Sequence, residues 1–177
     1  QPQTLVQDII DALDFAKSDD RILAVHLELS GLSGGGLNKL RRVGFALEDF
    51  KKSGKPVFAS GDFFSQAAYY LAAHANEIYL HPQGMVFLKG YGGYKTYFKE
   101  VIDKLLIDWN VFRVGTHKSF IESYTRTDMS PEDRESRTSL INQFWQIYQK
   151  DVEIARKIDI GLIDNFTNHA PVITEAV

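Results

Sequence analysis

Short apolar runs alternate with segments of helical spacing along most of this chain, and no other feature constrains its fold as strongly. The runs that predict strands are 22–29, 56–60, 77–81 and 110–114. Between two of them lies an apolar stripe with helical spacing, formed by Leu37, Leu40, Val43, Leu47 and Phe50. Strands separated by helices form parallel βαβ units, because each helix crosses back over the sheet. The sequence therefore predicts a layered α/β domain built from βαβ units.

Local signals mark the ends of several predicted helices. Gly54 follows the apolar stripe, at a position where glycine commonly ends a helix. Ser130 and Pro131 open a long helix, with the serine as the cap and the proline in the first turn. Other helices are predicted over 5–13, 65–75 and 94–106, and 85–88 is a short apolar stretch after a turn at 82–84.

Composition and charge exclude several classes of function. A length of 177 residues fits a single domain over 1–177. With 20 basic and 23 acidic residues the net charge is −3, so a nucleic-acid partner is not expected. The absence of cysteine excludes thiolate nucleophiles, disulfides and cysteine-ligated zinc. No metal-binding spacing, and hence no metal or other cofactor, is predicted from the histidines at 26, 74, 81, 117 and 169.

Membrane insertion is not expected of these residues themselves. No apolar run approaches the roughly 18–20 residues that a spanning helix needs. No signal peptide is recognisable. The chain begins at Gln1 without an initiator methionine, which is consistent with a fragment whose membrane anchor lies upstream.

The loop at Gly34, Gly35 and Gly36 lies between a predicted strand and a predicted helix, where ligands gather in α/β folds. Glycine lets a backbone approach a substrate closely, and amides at a helix start can stabilise an oxyanion. The spacing fits neither a P-loop nor a dinucleotide fingerprint. On spacing alone, a flexible turn without function is the favoured interpretation of the loop.

Lys118 follows the predicted strand 110–114 and is the second candidate for chemistry. A lysine acts as a general base only when it is neutral, and at an ordinary pKa near 10.4 about one molecule in 2,500 is neutral at pH 7. Burial lowers the pKa, because desolvation penalises the charged amine. The nearby apolar residues Phe112, Val114 and Phe120 are compatible with a dry site. An exposed surface charge is the alternative interpretation.

Several segments together resemble the signal peptide peptidase A (protease IV) family, specifically the amino-terminal repeat of its long, two-repeat form. The most specific is the run F-R-V-G-T-H-K-S over 112–119, followed by Glu122, by D-M-S-P over 128–131 and by Arg134-Glu135. Supporting segments are 65–72, 75–80 and 82–84. The resemblance extends over residues 5–157.

This resemblance implies a ClpP/crotonase-like fold and a Ser/Lys catalytic dyad. In the long form the amino-terminal repeat supplies the lysine and the carboxy-terminal repeat supplies the serine, so Lys118 is the expected general base. Apolar peptides such as cleaved signal peptides are the implied substrates. The resemblance further implies homo-oligomeric assembly, with active sites between repeats, and anchoring at the periplasmic face of a bacterial inner membrane.

Two departures from the family pattern affect the expected site. Aligning Tyr69 and Tyr70 with the aromatic pair of the catalytic repeat places Gln66 at the nucleophile position and Ser65 one residue early. An offset of one residue turns a helical side chain by about 100°, so Ser65 would point away from the nucleophile position. Because Ser65 opens a predicted helix, helix capping is the first explanation of this residue. The Gly34-Gly35 loop stands where the active repeat has its oxyanion loop, and it is either functional or a relic.

The sequence supports one main function and three alternatives. The main one is a peptidase fragment that is inactive without its missing carboxy-terminal repeat. The first alternative is a non-catalytic scaffold repeat of the same protease. A crotonase-type acyl-CoA enzyme is the second, although no adenine or pantetheine signature is present. The third is a self-contained Ser-His-Asp protease, in which Ser65 would use His74, His81 or His117.

Overall fold

The computed structural model of the protein describes residues 4–32, 34–108, 119–169 and 172–173. Its Cα positions fall into two compact units. Unit 1 comprises Gln1–Gly90 and Gln146–Val177, and unit 2 comprises Tyr91–Trp145. The single domain predicted over 1–177 stays a prediction.

Unit 1 contains the sheet and most of the helices. Its strands are β1 (Val25–Glu28), β2 (Val57–Ser65), β3 (Glu77–Phe87) and β4 (Val172–Ile173). Its helices are α1 (Val6–Ser18), α2 (Leu37–Lys51), α3 (Gln66–Ala73) and α7 (Leu162–His169), together with the end of α6 (Pro131–Arg156).

The four strands form one sheet in the order β1-β2-β3-β4. The β1–β2 and β2–β3 pairs are parallel, and the β3–β4 pair is antiparallel. Helix α2 connects the first parallel pair and α3 connects the second. The predicted α/β class and its βαβ units are therefore confirmed.

The core of unit 1 lies between the sheet and its helices. The predicted stripe on α2 is confirmed, because all five of its apolar side chains are buried. Val57 and Ala59 of β2 are buried, whereas the alternate residues Phe58 and Ser60 are half-buried. Gly54 ends the segment after α2 with a φ of +83°, a left-handed conformation that glycine adopts without strain.

Strands β1 and β3 differ from their predictions. β1 is half the predicted length. Its side chains alternate between half-buried and exposed, and His26 and Glu28 are exposed. β3 is one long strand, where the sequence predicted a strand, a turn and a separate apolar stretch. Its pairing with β2 shifts register between Gly61 and Phe63, so the turn-like residues Pro82 and Gly84 lie where the ladder is interrupted.

Unit 2 contains α4 (Lys99–Lys104), a 3₁₀ helix (Ser119–Ile121), α5 (Glu122–Thr125) and the first part of α6. The predicted helix over 94–106 is shorter than expected. The predicted start of α6 is confirmed, because Ser130 Oγ accepts a hydrogen bond of 3.1 Å from the Asp133 amide. The predicted strand over 110–114 lies outside the described residues.

Candidate functional site

Lys118, the expected general base, also lies outside the described residues, as does His117. The described chain resumes one residue later, at Ser119. The 3₁₀ helix and α5 follow at once, so Glu122 stands four residues after Lys118. The assignment of Lys118 as a base stays a prediction from the sequence.

The segment that follows Lys118 is attached to the rest of unit 2 by a buried polar cluster. Glu122 accepts hydrogen bonds from the hydroxyl and the amide of Ser130, at 2.7 Å and 3.3 Å. Lys95 Nζ lies 2.8 Å from an Asp133 carboxylate oxygen and 3.9 Å from Glu122 Oε2. Lys95 was not predicted from the sequence, because its partner lies 38 residues away and no local pattern marks the pair.

Gln66, the residue at the expected nucleophile position, makes structural hydrogen bonds. Its side-chain carbonyl accepts a 3.1 Å hydrogen bond from the Lys89 amide. Its backbone carbonyl accepts a 3.0 Å hydrogen bond from the Tyr148 hydroxyl, which is buried. Its side chain is buried in unit 1. Gln66 therefore joins α3 to the segment that follows β3 and to α6.

Ser65 caps α3, as predicted from the sequence. Its Oγ accepts a 3.3 Å hydrogen bond from the Ala68 amide, and its backbone is extended. Among the described residues, no histidine makes a hydrogen bond to Ser65. The self-contained serine protease therefore gains no support from the part of the chain described.

The Gly34-Gly35 loop precedes α2 at the carboxyl end of β1. Gly34 has a φ of +151°, and a Cβ added to Gly35 would lie 3.3 Å from a methyl carbon of Leu40. Gly36 is the N-cap of α2 and has no side chain to cap the helix. Because β1 and β2 are parallel neighbours, the loop after β1 and Ser65, the last residue of β2, belong to the same edge of the sheet. Its role in binding an oxyanion stays a prediction.

An open groove with a volume of about 410 Å³ lies on the exposed side of the sheet. It is lined by Glu28, Ser30, Ser60, Gly61, Asp62, Tyr79, Leu80 and His81. Beside it, His26 Nε2 lies 2.8 Å from Ser60 Oγ. Hydrogen bonds from Ser30 lower the pKa of Glu28 below its usual value. Within the described residues no carboxylate accepts a hydrogen bond from the other ring nitrogen of His26, so this pair lacks the third member of a catalytic triad.

His74, on the helical side of the sheet, has a structural environment. Its Nδ1 lies 2.9 Å from a carboxylate oxygen of Glu48, and its ring centroid lies 5.3 Å from that of Tyr70. Burial lowers its pKa and outweighs the raising effect of Glu48, so the ring is neutral near pH 7. For Glu48 the balance is reversed: burial raises its pKa, but hydrogen bonds from Lys51 and His74 leave it below the usual value.

Metal binding and membrane insertion have no support in the part of the chain that the structure describes. Across that part, no three histidine, aspartate or glutamate side chains are placed to share a metal ion. In the same residues, every helix is too short or too polar to cross a bilayer.

Comparison with known proteins identifies relatives over most of the chain. A model described as Peptidase family S49 matches residues 49–175. Protease 4 of Salmonella typhi is 44% identical over 151 residues, which are 85% of this chain and 24% of that protein. Protease 4 of Haemophilus influenzae is 39% identical over 151 residues, 85% of this chain and 25% of that protein. The chloroplastic serine protease SPPA of Arabidopsis thaliana is 28% identical over 153 residues, 86% of this chain and 22% of that protein. The chain thus spans about a quarter of the length of these curated relatives.

Two solved structures have a more distant likeness. An enoyl-CoA hydratase/isomerase family protein from Silicibacter pomeroyi has a TM-score of 0.36 and 15% identity, over 94% of this chain and 84% of that chain. DspI of Pseudomonas aeruginosa has a TM-score of 0.37 and 15% identity, over 97% of this chain and 80% of that chain. TM-scores this low carry no argument about fold or function.

Proposed function

The chain belongs to peptidase family S49, and we propose that it supplies Lys118 as the general base of a Ser/Lys-dyad protease that degrades cleaved signal peptides. The observation that supports this most is the V-G-T-H-K-S segment over 114–119, which lies inside the matched region 49–175. The two bacterial relatives above 30% identity are both named Protease 4. The ClpP/crotonase-like fold that the family implies agrees with the parallel βαβ units of unit 1.

In the proposed reaction the nucleophilic serine belongs to a separate, carboxy-terminal repeat. The serine oxygen attacks the scissile carbonyl while neutral Lys118 accepts the hydroxyl proton. The tetrahedral intermediate collapses, and the leaving amine takes the proton from Lys118. Water then attacks the acyl-serine while Lys118 accepts a proton from it, and Lys118 returns that proton to the serine oxygen as the second intermediate collapses. The lysine must be desolvated to act in this way at neutral pH.

The environment of residue 66 supports the division of labour between two repeats. A nucleophile must be exposed to substrate and bonded to its base. Gln66 is buried and has no nucleophilic atom. Its side-chain oxygen accepts a hydrogen bond from the backbone amide of Lys89, which follows β3. Ser65 is occupied as a helix cap. This repeat therefore has a candidate base and no candidate serine at the matching position.

The cellular setting belongs to the same proposal. The protein would act at the periplasmic face of a bacterial inner membrane, held by an anchor outside this chain, and would assemble as a homo-oligomer. Its substrates would be apolar peptides. The two bacterial relatives, both named Protease 4, support the protease activity in this proposal.

The test is hydrolysis of a fluorogenic apolar peptide by this chain alone and after mixing with the carboxy-terminal half. Each is measured with and without Lys118→Ala. The matched control is Lys104→Ala, which removes an exposed lysine from the last turn of α4. We expect activity only in the mixture, lost with Lys118→Ala and kept with Lys104→Ala. Activity of the chain alone would refute the split dyad.

A scaffold role in the same protease is the second candidate. It is favoured by one observation, the conversion of the expected nucleophile position into a buried structural contact at Gln66. It predicts that Lys118→Ala leaves the mixture fully active. The same experiment therefore separates the two functions.

A further inference from the structure

The exposed side of the sheet in unit 1 has a polar half and an apolar half. Glu28, Ser60 and Tyr79 form one row across β1, β2 and β3, because each is in register with the next. All three line the open groove described above. Beyond the register shift, Phe63 of β2 is in register with Met85 of β3. The polar half and the apolar half therefore follow one another along the same pair of parallel strands.

The polar half carries negative charge. Glu28 accepts hydrogen bonds from the amide and the hydroxyl of Ser30, and both bonds go to the same carboxylate oxygen, Oε1. These bonds lower the pKa of Glu28, and the nearby His26 lowers it further. Asp62 is exposed, and its carboxylate accepts no hydrogen bond from any residue that the structure describes. None of the described residues that line the groove is a lysine or an arginine. The groove therefore presents two carboxylates to a ligand.

The apolar half is a patch formed by Phe63, Met85 and Phe87. Their side chains are 48%, 39% and 39% exposed, whereas the alternate residues Phe64 and Val86 are buried on the helical side of the sheet. Apolar side chains that are exposed one at a time need no explanation. Neighbouring ones on paired strands are typical of a contact surface.

We propose that this side of the sheet binds a peptide in which a basic residue precedes an apolar stretch, with the basic side chain in the groove and the apolar side chains against the patch. This inference rests on the proposed function, because signal peptides have a positively charged start followed by an apolar segment. Since the basic residue comes first, the apolar stretch of the bound peptide runs from the groove toward the carboxyl ends of β2 and β3.

The chemistry of the groove suits a cationic side chain. An ammonium or guanidinium group placed there would meet a carboxylate, and charge-assisted hydrogen bonds of this kind are the stronger ones. It would also lie beside the ring of Tyr79, which is 56% exposed, and cations are attracted to the faces of aromatic rings. The volume of about 410 Å³ falls within the range of about 300–1,000 Å³ that is usual for ligand sites.

The test measures the binding of two fluorescently labelled peptides to the full 177-residue chain by fluorescence anisotropy. One peptide has two lysines before a stretch of leucine and alanine, and the other has glutamines in place of the lysines. The groove variant is Glu28→Gln with Asp62→Asn, which removes both charges and keeps an oxygen acceptor at each position. The matched control, Asp14→Asn with Asp20→Asn, removes two exposed carboxylates that do not line the groove.

We expect the unchanged chain to bind the lysine peptide about threefold to tenfold more tightly than the glutamine peptide at about 50 mM salt, because two partly exposed ion pairs form. The groove variant should lose this preference, and the control should keep it to within about twofold. Salt at about 1 M should also abolish it, because the charges are then screened. Equal binding of the two peptides by the unchanged chain would overturn the inference, and so would a preference that survives in the groove variant.

A patch variant tests the apolar half by itself. Phe63→Ser with Phe87→Ser should weaken the binding of both peptides about tenfold, because less apolar surface is removed from water, and should leave the ratio of their affinities unchanged. The unfolding temperature shows whether each variant folds. If the patch variant does not fold, Met85→Ser replaces it, with a smaller effect expected. Unchanged affinity for both peptides would refute the role of the patch.

Sedimentation velocity of the same proteins distinguishes a peptide from a second copy of the chain as the occupant. If the unchanged chain self-associates, the patch variant does not and neither peptide binds, the surface is an interface between copies and the inference fails. Binding is measured without hydrolysis, so its outcome does not depend on Lys118. Charge-dependent binding by a chain whose mixture with the carboxy-terminal half is inactive would refute the Ser/Lys proposal alone. An active mixture without charge-dependent binding would refute this inference alone.

Discussion

Gly44 packs closely against the ring of His74. We expect Gly44→Ala to destabilise the protein when this ring is present and to stabilise it when His74 is replaced by alanine. Gly44 lies within α2, and a Cβ added there would meet His74 Nε2 at 2.5 Å and Cδ2 at 2.8 Å. The imidazole cannot retreat freely. It is 3% exposed, bonded through Nδ1 to Glu48 and packed against Tyr70. Gly44→Ala must therefore displace the ring or the helix by nearly 1 Å.

The expected cost follows from two destabilising terms and one stabilising term. Overpacking a well-packed site costs about 1–3 kcal/mol. Weakening the hydrogen bond from His74 to the carboxylate of Glu48 adds about 1.5–3 kcal/mol if the bond is lost. Replacing glycine by alanine in a helix returns about 1 kcal/mol. We expect Gly44→Ala to lower the free energy of unfolding by about 2 kcal/mol.

The assay is denaturant unfolding at pH 7.5 of four proteins: the unchanged chain, Gly44→Ala, His74→Ala and the double variant. With the ring removed, the alanine at position 44 no longer clashes. Only its helix propensity remains, so the double variant should be more stable than His74→Ala by about 1 kcal/mol. The same effect of Gly44→Ala in both backgrounds, of either sign, would refute the reasoning.

Three further predictions concern pH, strand packing and the nucleophile position. Because the pKa of folded His74 lies below its usual value, the unfolded chain binds more protons. The free energy of unfolding should therefore fall as pH decreases below about 6.5, and more steeply than in His74→Gln; parallel pH profiles would contradict this. Gly84→Ala places a Cβ 2.5 Å from the backbone oxygen of Asp62, which cannot rotate away, so we expect a loss above about 2 kcal/mol in denaturant unfolding. A loss under about 0.5 kcal/mol would contradict this prediction, because it would mean that the strand moves to accommodate the added Cβ. Gln66→Ser leaves the Lys89 amide without its acceptor, so we expect a loss of about 1 kcal/mol and no peptide hydrolysis by the chain alone. Hydrolysis that depends on Lys118 would mean that one repeat holds a whole site.

Features that depend on local periodicity were predictable from the sequence. The stripe on α2 and the start of α6 are set by residues within a few turns of one another, and both predictions are confirmed. The sequence predicts two short segments in place of β3, because Pro82 and Gly84 are typical of turns. In the structure they face the irregularity in β2, where a proline removes no ladder hydrogen bond. That arrangement depends on a neighbouring strand, which no local pattern describes.

The candidate site divides in the same way. Lys118 is a candidate because of a short and specific run of residues, and its role stays a prediction. The buried cluster of Lys95, Glu122 and Asp133 was not predicted, because these residues meet only after folding. Likewise the sequence places Gln66 at the nucleophile position. Its hydrogen bonds to Lys89 and Tyr148 could not be predicted, because these partners are distant in the sequence and meet it only after folding.

Gln66 and Glu122 differ in what they contribute to the part of the chain that the structure describes. The side chain and the backbone carbonyl of Gln66 accept hydrogen bonds within unit 1, from the Lys89 amide after β3 and from the Tyr148 hydroxyl of α6. Around Glu122, charged residues are buried in unit 2 beside the segment that follows Lys118, although an apolar set of similar volume would stabilise the fold as well. The structural use of residue 66 fits both a base-supplying repeat and a scaffold, so the activity of the mixture with and without Lys118→Ala decides between them.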